Sequence, residues 1–268
     1  MRRYVPALLL ASLLAGCPKK KDDEGLTYAQ AREALDEAQL ATEAATLLDG
    51  TVEISTNFTI GQAVEAAAAE LRSFVQSQLP CAEVTLSGAT LSVEYGKKPG
   101  NCAFKGQTYS GTHSITVARN DQGNVEVDHT WTNITNGKVS VSGTADVTWN
   151  LSAKSRTVVH TLTWTRVSDG RTATGSGDRT QTVLEGGLLE GIKVDGTREW
   201  SGNAGTWDLS INDVEMRWVD PVPQSGSYVL HTPAGRSATL SFARKDASVI
   251  TVTVESGDKK FSFDVRSR

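Results

Sequence analysis

Val158-Val159-His160-Thr161-Leu162-Thr163-Trp164-Thr165 decides the fold: its even positions are Val, His, Leu and Trp, and the odd ones after Val159 are all Thr. Side chains of an extended chain point to alternate faces. This stretch is therefore a strand with one apolar face and one hydroxyl-rich face. Such a pattern suits an antiparallel sheet that is buried on one side only.

The alternation continues in both directions. Apolar residues hold the odd positions in 109–117, 125–131 and 139–149. Short turn-forming runs separate the segments: NDQG at 120–123, TNG at 135–137, SDG at 168–170, PAG at 233–235 and SGD at 256–258. Ile192, Val194, Gly196, Arg198 and Trp200 alternate in phase on a later strand. Trp207, Leu209 and Ile211 are odd, whereas Val214, Met216 and Trp218 are even. That change of parity predicts a β-bulge near Asn212-Asp213. Beyond the break at Pro221-Val222-Pro223, segments 237–242, 249–254 and 261–265 read as three closing strands.

The turns predict a register. Asn120 opposite Asn124 sets His113 against Trp131 and Ile115 against His129. The turn at 135–137 then sets His129 against Gly143. Asp169-Gly170, read as a two-residue turn, sets Trp164 against Gly175, Leu162 against Gly177 and His160 against Arg179. Large side chains over cross-strand glycines are a known packing device.

Upstream, the residues of 26–48 are rich in Ala, Leu, Glu and Gln and end at Asp49-Gly50, which predicts a helix that stops there. A short β-like piece follows at 52–59. A second helix is expected over 60–78, with Val64, Ala67, Ala68, Leu71 and Val75 as its apolar stripe. The fold class is mainly β (α+β): a large antiparallel meander, curved or half-barrel-like, with two N-terminal helices packed on one face. Residues 26–268 are read as a single β-rich domain.

One face of this sheet carries unusual chemistry. His113, His129, His160, Arg179 and Gln181 fall in phase with Trp131, Trp149 and Trp164, and Arg198 joins them from the next strand. A dry face would make those charges costly unless paired. One reading is a partly polar, Trp-walled cavity for an anionic or amphipathic ligand. The other is a wet rim on which arginine stems cover the tryptophans. No H-x-H or H-E-x-x-H spacing supports a metal site. There is no G-x-S-x-G elbow, P-loop or dinucleotide-binding glycine motif, and no cofactor is expected.

The chain has 268 residues, 38% hydrophobic and 22% charged, with a formal net charge of −4. That is ample for a core and argues against nucleic-acid binding, which usually shows a basic surface. At the amino terminus, Met1-Arg2-Arg3 precedes a short apolar run and then Leu14-Ala15-Gly16-Cys17. The layout is that of an export leader. These residues resemble the lipobox signal of bacterial lipoproteins. The resemblance implies removal of 1–16, a diacylglyceryl thioether on Cys17, and N-acylation (commonly palmitate) of the new terminus. Residues 17–25 become a lipidated cysteine and charged tether. Pro18, rather than Asp, favours the outer membrane. With Cys17 acylated in an oxidising compartment, Cys81 and Cys102 are expected to form a disulfide.

The functional expectation is an anchored envelope protein without catalysis, serving as a binding, structural or interaction module. Its partners are the membrane, through the anchor, and an envelope protein or amphipathic ligand. Two alternatives remain open. One is a lipid carrier, whose sheet resembles in architecture the periplasmic lipoprotein-sorting proteins. The other is an envelope hydrolase working through His113, His129, His160 and the arginines.

Overall fold

Among the described residues, thirteen of fifteen strands form one antiparallel sheet, and their spatial order follows their order in the chain. The computed structural model describes residues 25–56, 63–120, 124–150, 153–187 and 190–267. The leader, Cys17, the tether through residue 24, positions 57–62 and the turn residues 121–123 lie outside the described residues.

Two helices come first, α1 (Tyr28–Ile54) and α2 (Val64–Gln78). The strands are β1 (Glu83–Ser87), β2 (Thr90–Tyr95), β3 (Ala103–Phe104), β4 (Gln107–Thr108), β5 (Ser110–Arg119), β6 (Val125–Thr135), β7 (Val139–Asn150), β8 (Ser155–Arg166), β9 (Thr172–Val183) and β10 (Gly191–Gly202). There follow β11 (Gly205–Arg217), β12 (Ser225–His231), β13 (Ser237–Arg244), β14 (Val249–Ser256) and β15 (Lys259–Arg266). β3 and β4 pair only with each other, and the large sheet does not close into a barrel. β12, between the Pro221-Val222-Pro223 break and Pro233, is a strand that the sequence reading passed over.

The alternation has its expected cause. Val158, His160, Leu162 and Trp164 of β8 are buried, while Thr161 and Thr163 are exposed. Hydroxyls pair across the outer face, as between Thr163 and Thr174 (2.9 Å) and between Thr165 and Thr172 (2.9 Å). The bulge expected near Asn212-Asp213 is present: the β11–β12 register shifts between Asn212 and Glu215, and Asp213 has φ of 50°. The disulfide between Cys81 and Cys102 is also present, with its Cα atoms 5.4 Å apart.

Register matches the turn argument at β5–β6, where His113 faces Trp131 and Ile115 faces His129. It departs from that argument at two hairpins. In β6–β7 the register slips between Trp131 and Ile134, with Asn133 at φ 50°. The loop is also longer than expected, with Thr135 opposite Ser140, and with this irregularity it sets Trp131 opposite Gly143 and His129 opposite Ala145. In β8–β9 the last pair outside the loop joins Arg166 N–H to the Arg171 carbonyl at 2.8 Å, so the turn is longer than two residues. Trp164 therefore faces Ala173, Leu162 faces Gly175 and His160 faces Gly177. A shift of two residues preserves the face of every side chain while changing its partner.

The first helix differs more. It starts at Tyr28 behind a capping box made by Thr27 and Gln30, and runs past Asp49-Gly50 to Ile54 instead of ending at 48. No β-like piece begins at Val52. The reason is tertiary, because Leu47 to Ile54 is buried on all sides against the sheet. A helix enclosed this way needs no amphipathic pattern. Side chains of α1 reach from β15, where Tyr28 packs on Phe261 and Phe263, to β6, where Thr51 accepts a hydrogen bond from Trp131 Nε1 (2.9 Å). At 1.5 Å per residue α1 is about 40 Å long. The nine strand spacings it covers amount to about 43 Å. The helix therefore crosses the strands rather than following them. The second helix, described from Val64, sets Ala67, Ala68, Leu71 and Val75 into the same apolar core.

Gly50 is the point of closest approach. A Cβ there would lie 2.3 Å from Tyr109 Oη and 3.6 Å from the ring carbon bearing it. In an ordinary helix interior Gly→Ala stabilises by up to about 1 kcal/mol. Here Gly50→Ala is expected to destabilise by about 1–3 kcal/mol in urea unfolding, as overpacked sites do. Tyr109→Phe in the same chain should restore most of that loss, since only the hydroxyl obstructs.

Candidate functional site

Every residue marked on the inner face points to that face, and α1 covers it. The buried groups are His113, His129, His160, Arg156, Arg179, Gln181 and Arg198 from the strands, with Glu37, Asp49 and Glu53 from the helix. Trp131 and Trp164 are buried beside them. The sheet supplies cations and imidazoles, and the helix supplies carboxylates.

Asp49 is the centre of the ionic part. Arg179 grips it through both terminal nitrogens, at 3.1 Å and 3.2 Å, and Gln181 Nε2 donates to the same carboxylate at 3.0 Å. Burial alone would raise the Asp49 carboxyl. Arg179, the Gln181 hydrogen bond, Arg156 and Arg198 outweigh it and hold the carboxyl below its ordinary value. One helical turn on, Glu53 pairs with Arg156 and with Lys105 (3.4 Å). Arg156 also donates through Nε to Gln181 Oε1 at 2.6 Å, joining the two pairs, and stacks 5.1 Å over Trp149. Nearer the amino end of α1, Glu37 accepts from Trp200 Nε1 (3.4 Å) and pairs with Arg171 (2.8 Å).

The histidines form a second network with one consistent direction. Ser55 donates to the Val52 carbonyl at 2.7 Å, so its oxygen is left to accept from His129 Nε2 at 3.5 Å. A neutral imidazole donates through one nitrogen and accepts through the other. His129 Nδ1 therefore accepts from His113 Nε2 (2.8 Å), and His113 Nδ1 accepts from Tyr95 Oη (3.3 Å). Both rings stack on Trp131 with centroids 5.2–5.3 Å away. Adding a proton to His129 Nδ1 would set two donors against each other. Burial lowers His113 well below the ordinary value, and His129 to about 3. His160, over Gly177 and beside Arg179 and Arg198, is lowered to about 2, again chiefly by burial.

This arrangement is a nearly filled polar seam, whose remaining space opens beside the exposed Ser176 and Glu199. The space remaining between α1 and His160, Arg179 and Arg198 is about 10 Å³, about enough for a single water. A larger recess of about 310 Å³ lies elsewhere, among Leu26, Gln30, Trp207 and Pro233 at the start of α1. Among the described residues no group of three His, Cys, Asp or Glu is placed to hold a metal. His231 stands on the outer face, 3.1 Å from Asp208.

Sequence reasoning placed the strand residues on their face but missed those that satisfy them. Arg156 was legible by parity, being even like Val158 and His160. Asp49 and Glu53 are four apart and hence on one helical face, but Asp49-Gly50 resembles a helix end. Tyr95 and Ser55 carried no signal, because their role exists only once β2 and α1 meet the histidines.

Two outcomes follow for stability. The buried imidazoles stay neutral in the fold, whereas in the unfolded chain they titrate at the ordinary value of 6.5. Between that value and about pH 3 the unfolded chain binds more protons, so acid lowers stability by about 1.4 kcal/mol per pH unit for each histidine. Urea midpoints should be flat above pH 7 and fall steeply below 6.5, with His160→Gln reducing the slope by about one proton. Separately, Asp49→Leu and Arg179→Met should each cost about 3–5 kcal/mol, while the double variant costs far less than their sum.

No family model, curated protein or solved structure matches the chain.

Proposed function

We propose that the chain is a lipid-anchored protein of the bacterial envelope, on the outer membrane, whose sheet acts as a non-catalytic structural or interaction module. The anchor rests on Leu14-Ala15-Gly16-Cys17 behind a basic and apolar leader. The non-catalytic reading rests on one observation. The face that carries His113, His129, His160, Arg179 and Arg198 is occupied by α1, with about 10 Å³ left over. A ligand of acyl-chain size has no room there; His113 and His129 are shut off from solvent, and His160 is 6% exposed.

The tether would leave at one end of the sheet. Gly25 O accepts from Lys259 Nζ at 3.0 Å and from Arg236 at 3.5 Å, and Leu26 N–H donates to Ser256 Oγ at 3.2 Å. At about 3.4 Å per residue, the segment from Pro18 to Gly25 reaches at most about 27 Å. Multiple acyl chains at Cys17 would make that attachment durable. The end of the sheet with the 232–236 and 257–258 turns would then face the bilayer.

In cells fed labelled palmitate, the wild-type chain should take up label and sediment with outer membranes. Cys17→Ser should lose both properties while leaving the fold intact. Unlabelled wild-type protein that stays soluble would remove the anchor. Chain purified without its leader should carry no bound lipid by mass spectrometry, and a stoichiometric lipid would return the carrier reading.

A further inference from the structure

The large sheet has two edges, and β15 is one of them. Among the described residues this strand pairs with β14 alone. Just beyond it, Ser267 N–H donates to the Ser248 carbonyl at 2.8 Å. Every second residue of an antiparallel strand bonds to a given neighbour. The odd residues of β15 therefore bond to β14, and Lys260, Ser262 and Asp264 turn their backbone N–H and C=O groups outward. An eight-residue edge of this kind is a template for another strand.

The two sides of that edge differ. Phe261, Phe263 and Val265 lie on the inner side, opposite Val254, Val252 and Ile250 of β14. Tyr28, 54% exposed, rests on both phenylalanines with ring centroids 5.6 Å away. The outer side carries Lys260, Ser262, Asp264 and Arg266, all exposed, with Asp258 in the turn before them. Lys260 pairs with Glu255 at 2.6 Å, and Asp264 with Lys245 at 3.1 Å.

This order of charges is complementary to its own reverse. With Ser262 opposite Ser262 of a second copy, Lys260 faces Asp264 and Asp258 faces Arg266, each pair occurring twice. Phe261 meets Phe263 on the inner side. The outward residues then oppose one another, as a hydrogen-bonded antiparallel pair requires. A register one pleat to either side sets Asp258 against Asp264 or Lys260 against Arg266. Like charges directly opposite are unfavourable, so the charges select one register.

We propose that β15 is the interface of a homodimer, in which two copies join edge to edge about a twofold axis through Ser262. The contact is isologous and closes on itself. Glu255, Lys260 and the second copy's Asp264 and Lys245 form an alternating row across the joint, and the two Tyr28 rings meet near the axis. The edge is small beside a standard interface of about 1,600 Å², so association in the micromolar range or weaker is expected. The pairing does not need the lipid anchor. It sets the two Gly25 tether roots roughly 25 Å apart along the joined strands, so a membrane-bound pair lies with its strands along the bilayer.

The test uses the purified mature chain in mild detergent. Sedimentation equilibrium should show a monomer and a dimer in concentration-dependent exchange. Lys260→Glu and Asp264→Lys should each weaken the dimer at least tenfold without altering Tm. Mixing the two variants should restore wild-type affinity, because each mixed pair regains both opposite-charge contacts while its intrachain contacts stay as they were. Opposed Cα atoms in such a pair lie about 5.5 Å apart, within disulfide range. Ser262→Cys should therefore crosslink between copies on mild oxidation, and Thr253→Cys, one strand inward, should not. A wild type that stays monomeric up to about 1 mM would overturn the proposal, as would variants whose mixture associates no better than either alone. Equal crosslinking at 253 and 262, or open-ended oligomers in place of a dimer, would also overturn it.

Discussion

Arginine on the inner face of a β-sheet requires a carboxylate from somewhere else. Strands β8, β9 and β10 place Arg156, Arg179 and Arg198 on the side that is shielded from water. Their own carboxylates, such as Asp178, alternate onto the outer face. Only a second layer can supply the missing charge, and α1 does so with Asp49 and Glu53. The helix position, its length beyond Gly50 and the sealing of the histidines all follow from that pairing. Removing one partner leaves a bare charge in a medium of low dielectric, so breaking the pair costs more than the intact pair contributes.

The histidine chain makes the same point for neutral groups. Tyr95, His113, His129 and Ser55 can be joined in one donor-to-acceptor direction because the series ends on the Val52 carbonyl of α1. A buried network of this kind is favourable only if every member is satisfied. It therefore depends on the helix lying at its observed height over β5 and β6. Three imidazoles and three guanidiniums in one region would ordinarily suggest an active site. Here they are the polar lining of an interface between two layers of the same chain.

Legibility divided along a physical boundary. Face assignment could be read because the period of two acts on every residue of a strand, and a shift of two residues leaves it unchanged. Partner assignment could not, because the longer loops before Ser140 and before Arg171 each moved a hairpin by one pleat, the first after a one-residue correction at the Asn133 irregularity. The bulge at Asn212-Asp213 was visible only because it changed parity. Along the first helix, local propensity favours a stop at Asp49-Gly50, and burial against Tyr109, Trp131 and Arg179 overrides it.

By itself the sequence determined the strand periodicity, the shared face of His113, His129, His160, Arg179 and Arg198, the cysteine pair, and the lipobox resemblance. These are local properties, written in spacing of one to a few residues. Whether that shared face is open or filled was decided only by the tertiary structure. The residues that fill it lie more than a hundred positions from the arginines they meet, as Asp49 does from Arg179. No periodicity spans such a separation, because the contact is set by how a helix and a sheet bury each other's polar groups.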